Sequence, residues 1–128
     1  MSHFTRVKTK LKDVETLKKV LIDMGHEPVD DPKAGHVVVR GWGGQTQKAE
    51  MKVARGAFDI GFVRNGDSYE AVGDFSGMHL SERNFGNELN RRYAHATVLA
   101  AAEAQGFTVA EEVQQSDGSV RVVVERWA

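Results

Sequence analysis

The segment Phe58–Gly73, FDIGFVRNGDSYEAVG, reads as two strands joined by a tight turn. Phe58 to Arg64 and Ser68 to Gly73 are the strand runs. Asn65-Gly66 between them is the strongest short-range hairpin signal, because such turns need a positive φ that Asn and Gly adopt at little cost. An antiparallel hairpin in mid-chain makes a mostly antiparallel sheet the frame of the fold. Upstream of it, Met51 to Ala54 reads as strand, with a turn at Arg55-Gly56. Downstream, Gly73 to Leu80 reads as a loop, and Ser81 caps a long helix to about Gln105. On that helix Phe85, Leu89, Tyr93, Ala96, Ala100 and Ala104 form one apolar stripe. Val98, Leu99 and Ala102 widen it, so the C-terminal half is expected to be buried on two sides.

Phe4 to Lys12 alternates strictly, with Val7, Thr9 and Leu11 on one side and Arg6, Lys8, Lys10 and Lys12 on the other. This is a half-buried strand. Asp13 then caps a helix carrying Val14, Leu17, Val20, Leu21 and Met24 at helical spacing, and Gly25 ends it. An extended segment from His26 to Val29 and a turn from Asp30 to Gly35 lead to the strand His36–Arg40. Gly41–Glu50, GWGGQTQKAE, reads as an open loop. At the C-terminus, Gly106 closes the long helix, Phe107 to Gln114 is a strand, Asp117-Gly118 a turn, and Val120 to Trp127 the last strand. The run from Leu17 to Trp42 and the run from Val98 to Trp127 share a helix, a glycine, a turn and a Val-Val-Val strand ending in Arg-Gly-Trp or Glu-Arg-Trp. Either the halves are a weak repeat of strand, helix and hairpin, or two such modules resemble each other by chance.

At 128 residues the chain is expected to be one domain spanning 1–128. An apolar share of 41% and a charged share of 27% suit an ordinary globular protein. No apolar run is long enough to span a membrane, and Met1–Lys8 is too polar for a signal peptide, so the expected location is cytoplasmic. The absence of cysteine removes disulfides, thiol nucleophiles and thiolate metal sites. A net charge of −1 gives no global attraction to nucleic acid or anionic lipid.

Several pieces in order, Met1-Ser-His-Phe-Thr5, Gly44-Gln-Thr-Gln-Lys-Ala49, Phe58-Asp-Ile-Gly-Phe-Val63, Arg92-Tyr-Ala-His95 and the tail from Asp117 to Trp127, resemble the hypothetical chloroplast reading frame thirty-five family. It is a family of cyanobacteria and red-lineage plastids, with relatives in other bacteria, and a domain of unknown function. The resemblance covers nearly the whole chain and implies no established activity. In the loop Gly73–Leu80, where the family carries a tryptophan-rich stretch after the acidic residue, this chain has Phe75 and Met78. A partner contacted through that loop need not be shared.

The glycine-rich corner is not a phosphate loop. Lys48 is followed by Ala49 rather than by Ser or Thr, and no spacing gives a dinucleotide fingerprint. It suits a sharp bend with Trp42 at its edge, or a polar and aromatic partner surface. The basic row Arg6, Lys8, Lys10 and Lys12 could hold phosphates of a nucleotide or of single-stranded nucleic acid, but the leading reading is that lysine on an outer strand discourages edge pairing. The histidines, His3, His26, His36, His79 and His95, lack metal-ligand spacing, so no metal or cofactor is implied. His95 is expected at a helix-sheet seam, bonded to backbone or to Asp74. Asp59 and Asp74, with Glu70, could furnish acid-base work, but Asp59 reads as simply the solvent side of an alternating strand, and Ser76-Gly77 is no nucleophile elbow.

The expected fold class is α+β: a mostly antiparallel sheet of about six to eight strands with two helices packed on one face. The leading functional expectation is a non-enzymatic accessory or regulatory protein that binds another protein. Its surface would be Trp42, Gln45, Thr46, Gln47, Lys48, Phe75 and Met78. The alternative is a small-molecule or nucleotide binder with a pocket formed by His95, Asp74, Glu70 and Arg92. Single-stranded nucleic-acid binding on the basic row ranks third. An unpaired, Val-rich edge strand could also add to another subunit's sheet.

Overall fold

The computed structural model describes residues 3–117 and 119–126. Trp127, where the second half of the apparent repeat ends, and Gly118 lie outside the described residues. In chain order the elements are β1 (Thr5–Lys8), α1 (Val14–Asp23), β2 (Val29–Asp30), β3 (Val37–Arg40), a 3-10 turn (Trp42–Gly44), β4 (Thr46–Ala49), β5 (Met51–Arg55), β6 (Phe58–Asn65), β7 (Ser68–Gly73), α2 (Glu82–Ala104), β8 (Phe107–Gln114) and β9 (Val120–Arg126). The fold is α+β, with every strand pair antiparallel.

The central hairpin forms as its sequence dictates, with its turn displaced by one residue. Asn65 pairs with Ser68, so Gly66-Asp67 are the turn residues, and Gly66 alone has a positive φ, 67°. Glycine at the first central position with an ordinary second residue is the II′ arrangement. Around this hairpin the strands order β1-β7-β6-β5-β2.

Strand alternation divides the interior into two clusters. Met51, Val53, Ile60, Phe62, Tyr69 and Ala71 pack against Leu17, Val20 and Leu21 of α1 and Phe85 and Leu89 of α2. Both helices therefore cover one face. Asp13 Oδ2 caps α1 through Thr16 N (3.1 Å), and Ser81 Oγ caps α2 through Asn84 N (3.2 Å). On the other face Val37, Val39 and Ala49 of the β3–β4 hairpin form a second cluster with Phe4 and Val63. At Gly61 of β6 that hairpin comes close: a Cβ there would overlap Val39 and lie 2.9 Å from the Ala49 Cβ. Only glycine permits the approach.

The structure departs from expectation at several elements, and its main sheet has five strands rather than six to eight. β1 ends at Lys8, although the alternation continues, with Thr9 and Leu11 buried and Lys10 and Lys12 exposed. β8 and β9 form a separate two-stranded sheet rather than extending a continuous one. The C-terminal half of α2 is mostly exposed: the buried residues of the helix are Phe85, Gly86 and Leu89, and Val98 is 51% exposed. A helix of 23 residues is about 34 Å long; in its second half Ala96 still packs against the main core, and β8 contacts the helix. Among the described residues no helix is long and apolar enough to cross a membrane.

Candidate functional site

The segment read as an open loop after β3 is the second strand of a hairpin. Val38 pairs with Lys48, Val39 with Gln47 and Arg40 with Thr46, so Gly41–Gln45 is the connecting bend. Gly41 N donates to Gln45 O (2.8 Å) and Gln45 N to Trp42 O (3.2 Å), which closes the bend. Gly43 and Gly44 take φ of 66° and 79°, values that most side chains resist. Trp42 projects from this corner half-exposed.

Asp74 holds the corner in place. It is fully buried and follows directly on β7. Its Oδ2 accepts from Trp42 N (3.2 Å) and its Oδ1 from Gly77 N (2.9 Å). One buried carboxylate thus ties the Trp42 bend to the turn after β7, satisfying two backbone donors that would otherwise be orphaned.

The structure sorts the expected partner residues. Gln45, Thr46 and Lys48 are exposed near Trp42, and Gln47 is half-buried. Phe75 does not belong to an outer surface, and Met78 belongs to one at most in part. Phe75 is 1% exposed and tilted against Phe85, with ring centroids 5.8 Å apart. Met78 packs half-buried against the same core. With Asp74 anchored, the next side chain turns inward beneath α2, and burial of an aromatic ring outweighs any surface role.

Of the four expected pocket residues, His95 and Arg92 line a common cleft of about 210 Å³ with Arg91 and Val120, whereas Glu70 and Asp74 lie elsewhere. Glu70 accepts from Arg6 Nη1 (3.1 Å), a contact that holds its carboxyl below the usual range, and Arg92 Nε donates to Glu88 (3.1 Å). Asp74 is occupied at the corner. His95 Nε2 lies 2.9 Å from Glu112 Oε1 on β8, not beside Asp74. It lines a cleft of about 360 Å³ between α2 and the terminal hairpin, with Arg91, Val98, Val120 and Val122. The basic row Arg6, Lys8, Lys10 and Lys12 stays exposed along one side. Arg6 is paired, and Lys10 and Lys12 lie beyond the end of β1.

Asp59, read as solvent-facing, is fully buried on the face that carries β3. Arg40 grips it with Nε and Nη2, each at 2.8 Å, and with its backbone N at 2.9 Å. Lys52 Nζ reaches it at 3.1 Å and also donates to Val38 O at 2.7 Å. Burial raises the Asp59 pKa, but the Arg40 and Lys52 hydrogen bonds outweigh burial and lower it to about 2. The sequence contains these cations, but their convergence depends on β3 crossing β6. Among the described residues no three His, Asp or Glu side chains are grouped to hold a metal ion.

The family described as "Protein of unknown function (DUF1257)" matches residues 20–123. The chain belongs to this family. Similar relatives are each named "Uncharacterized protein ycf35". That of Guillardia theta is 34% identical, covering 99% of this chain and 98% of its own. The proteins of Cyanophora paradoxa and Pyropia yezoensis are 32% and 30% identical, each at 99% and 98% coverage. No solved structure matches the chain.

Proposed function

We propose that this DUF1257 chain is a non-enzymatic accessory module that binds another protein through the corner presenting Trp42, with Gln45, Thr46 and Lys48 beside it. The observation that carries the reading is a half-exposed tryptophan on a bend whose backbone is fastened by a buried carboxylate. A large aromatic that is already ordered loses little entropy on contact, which suits an interface anchor. Phe75 has no part in this surface. The test is photo-crosslinking from Gln45 in the source cell, with and without Trp42→Ala. One protein band lost on substitution supports the reading, and an unchanged pattern overturns it.

A second reading rests on the cleft beside His95. Its walls are mostly aliphatic and its polar side chains are His95, Arg91 and Ser119, which suits a small anionic molecule with an apolar body. A thermal-shift panel of nucleotides and aliphatic carboxylates, repeated on His95→Ala and Arg91→Ala, tests it. A stabilisation that both substitutions abolish supports this reading, and none in the panel counts against it.

A further inference from the structure

β8 and β9 pair only with each other among the described strands. A lone two-stranded ladder is marginal in water, and α2 supports this one on a single face. The outer edge of β9 is therefore an unpaired row of backbone donors and acceptors. Gln115 N donates to Ser119 O at 2.7 Å at the mouth of the hairpin. Counting from that bond by antiparallel alternation, the backbone groups of Arg121 and Val123 point to β8, and those of residues 120, 122 and 124 point to the open edge.

The sequence of β9, VRVVVER, is self-complementary about Val123. Arg121 and Glu125 stand at equal distances on either side of it, and both are exposed. Two β9 strands laid antiparallel about Val123 bring residue 122 of each opposite residue 124 of the other, in hydrogen-bonding phase. The same register sets Arg121 against Glu125 twice. Centring the pair on Arg121 or on Glu125 would instead oppose like charges, which destabilises a ladder.

We propose that this chain self-associates through the outer edge of β9, a second copy completing a four-stranded β8-β9-β9-β8 sheet. The twofold axis runs perpendicular to that sheet, so both α2 helices lie on the same side of it. This surface is separate from the Trp42 corner, and failure of either assignment leaves the other standing.

Sedimentation equilibrium on the full chain tests the proposal. The wild-type protein should approach twice the chain mass of 14.1 kDa. Arg121→Glu alone and Glu125→Arg alone each turn two attractive contacts into repulsive ones, and each should weaken association about tenfold or more. An equimolar mixture of the two variants should recover the dimer, because every opposed pair is then of opposite sign. The double variant Arg121→Glu/Glu125→Arg should dimerise like the wild type and substitutes for any single variant that circular dichroism finds unfolded. A monomeric wild type, a dimer indifferent to both single changes, or a folded double variant that stays monomeric would each overturn the assignment.

Discussion

Asp74 accepts a hydrogen bond from the Trp42 backbone at 3.2 Å across 32 positions of sequence, and the same carboxylate takes the N–H of Gly77 at 2.9 Å. The relationship couples two loops that local sequence leaves independent. Replacing Asp74 by Asn keeps the size but presents an amide donor to a backbone donor. We expect a loss of about 1–3 kcal/mol, read as a fall in Tm, and faster hydrogen exchange at Trp42 and Gly77. Unchanged exchange at both amides would disprove the coupling.

Trp42 itself should matter little to stability. Half of its surface is in solvent, so Trp42→Ala is expected to change unfolding free energy by no more than about 0.5 kcal/mol while removing the crosslinked partner. A denaturation midpoint far below the wild-type value would place the ring in the core instead.

Asp59 should make stability fall on the acid side. Its folded pKa is about 2 against an ordinary 3.8, so the folded state holds the proton less tightly than the unfolded chain. The stabilisation is complete above pH 3.8 and is lost as pH falls toward 2. Its size is on the order of 1–2 kcal/mol, allowing for solvent around the half-exposed Arg40. Urea unfolding across this range should show a shallower acid decline for Asp59→Asn, which should also be less stable at neutral pH. Parallel pH profiles for the two proteins would contradict the Arg40–Asp59–Lys52 arrangement.

Gly61 sets the distance between the β3–β4 hairpin and the main sheet. A Cβ there overlaps Val39 and crowds Ala49, so Gly61→Ala should cost about 1–3 kcal/mol, and Val39→Ala in the same chain should recover part of it. Equal stability of Gly61→Ala and wild type would mean that the hairpin docks elsewhere.

The sequence by itself determined what depends on neighbours along the chain. Asp13 and Ser81 mark the helix starts because their side chains reach amides only a turn away. The alternation from Val7 to Leu11 marks an inward face even where strand pairing has ceased, because successive side chains point to opposite sides of an extended backbone. Trp42 was recognisable as a corner residue from the glycines around it. The tertiary structure alone decided where apolar and charged side chains end up when distant segments meet. Phe75 looks like a loop aromatic until α2 passes above it, and Asp59 looks solvated until β3 delivers Arg40. The apolar C-terminal half of α2 reads as buried on both sides, yet its cover depends on where the terminal hairpin lies. The reason is one of range: propensity, capping and periodicity act over a few residues, whereas burial and ion pairing depend on which faces the chain's topology brings into contact.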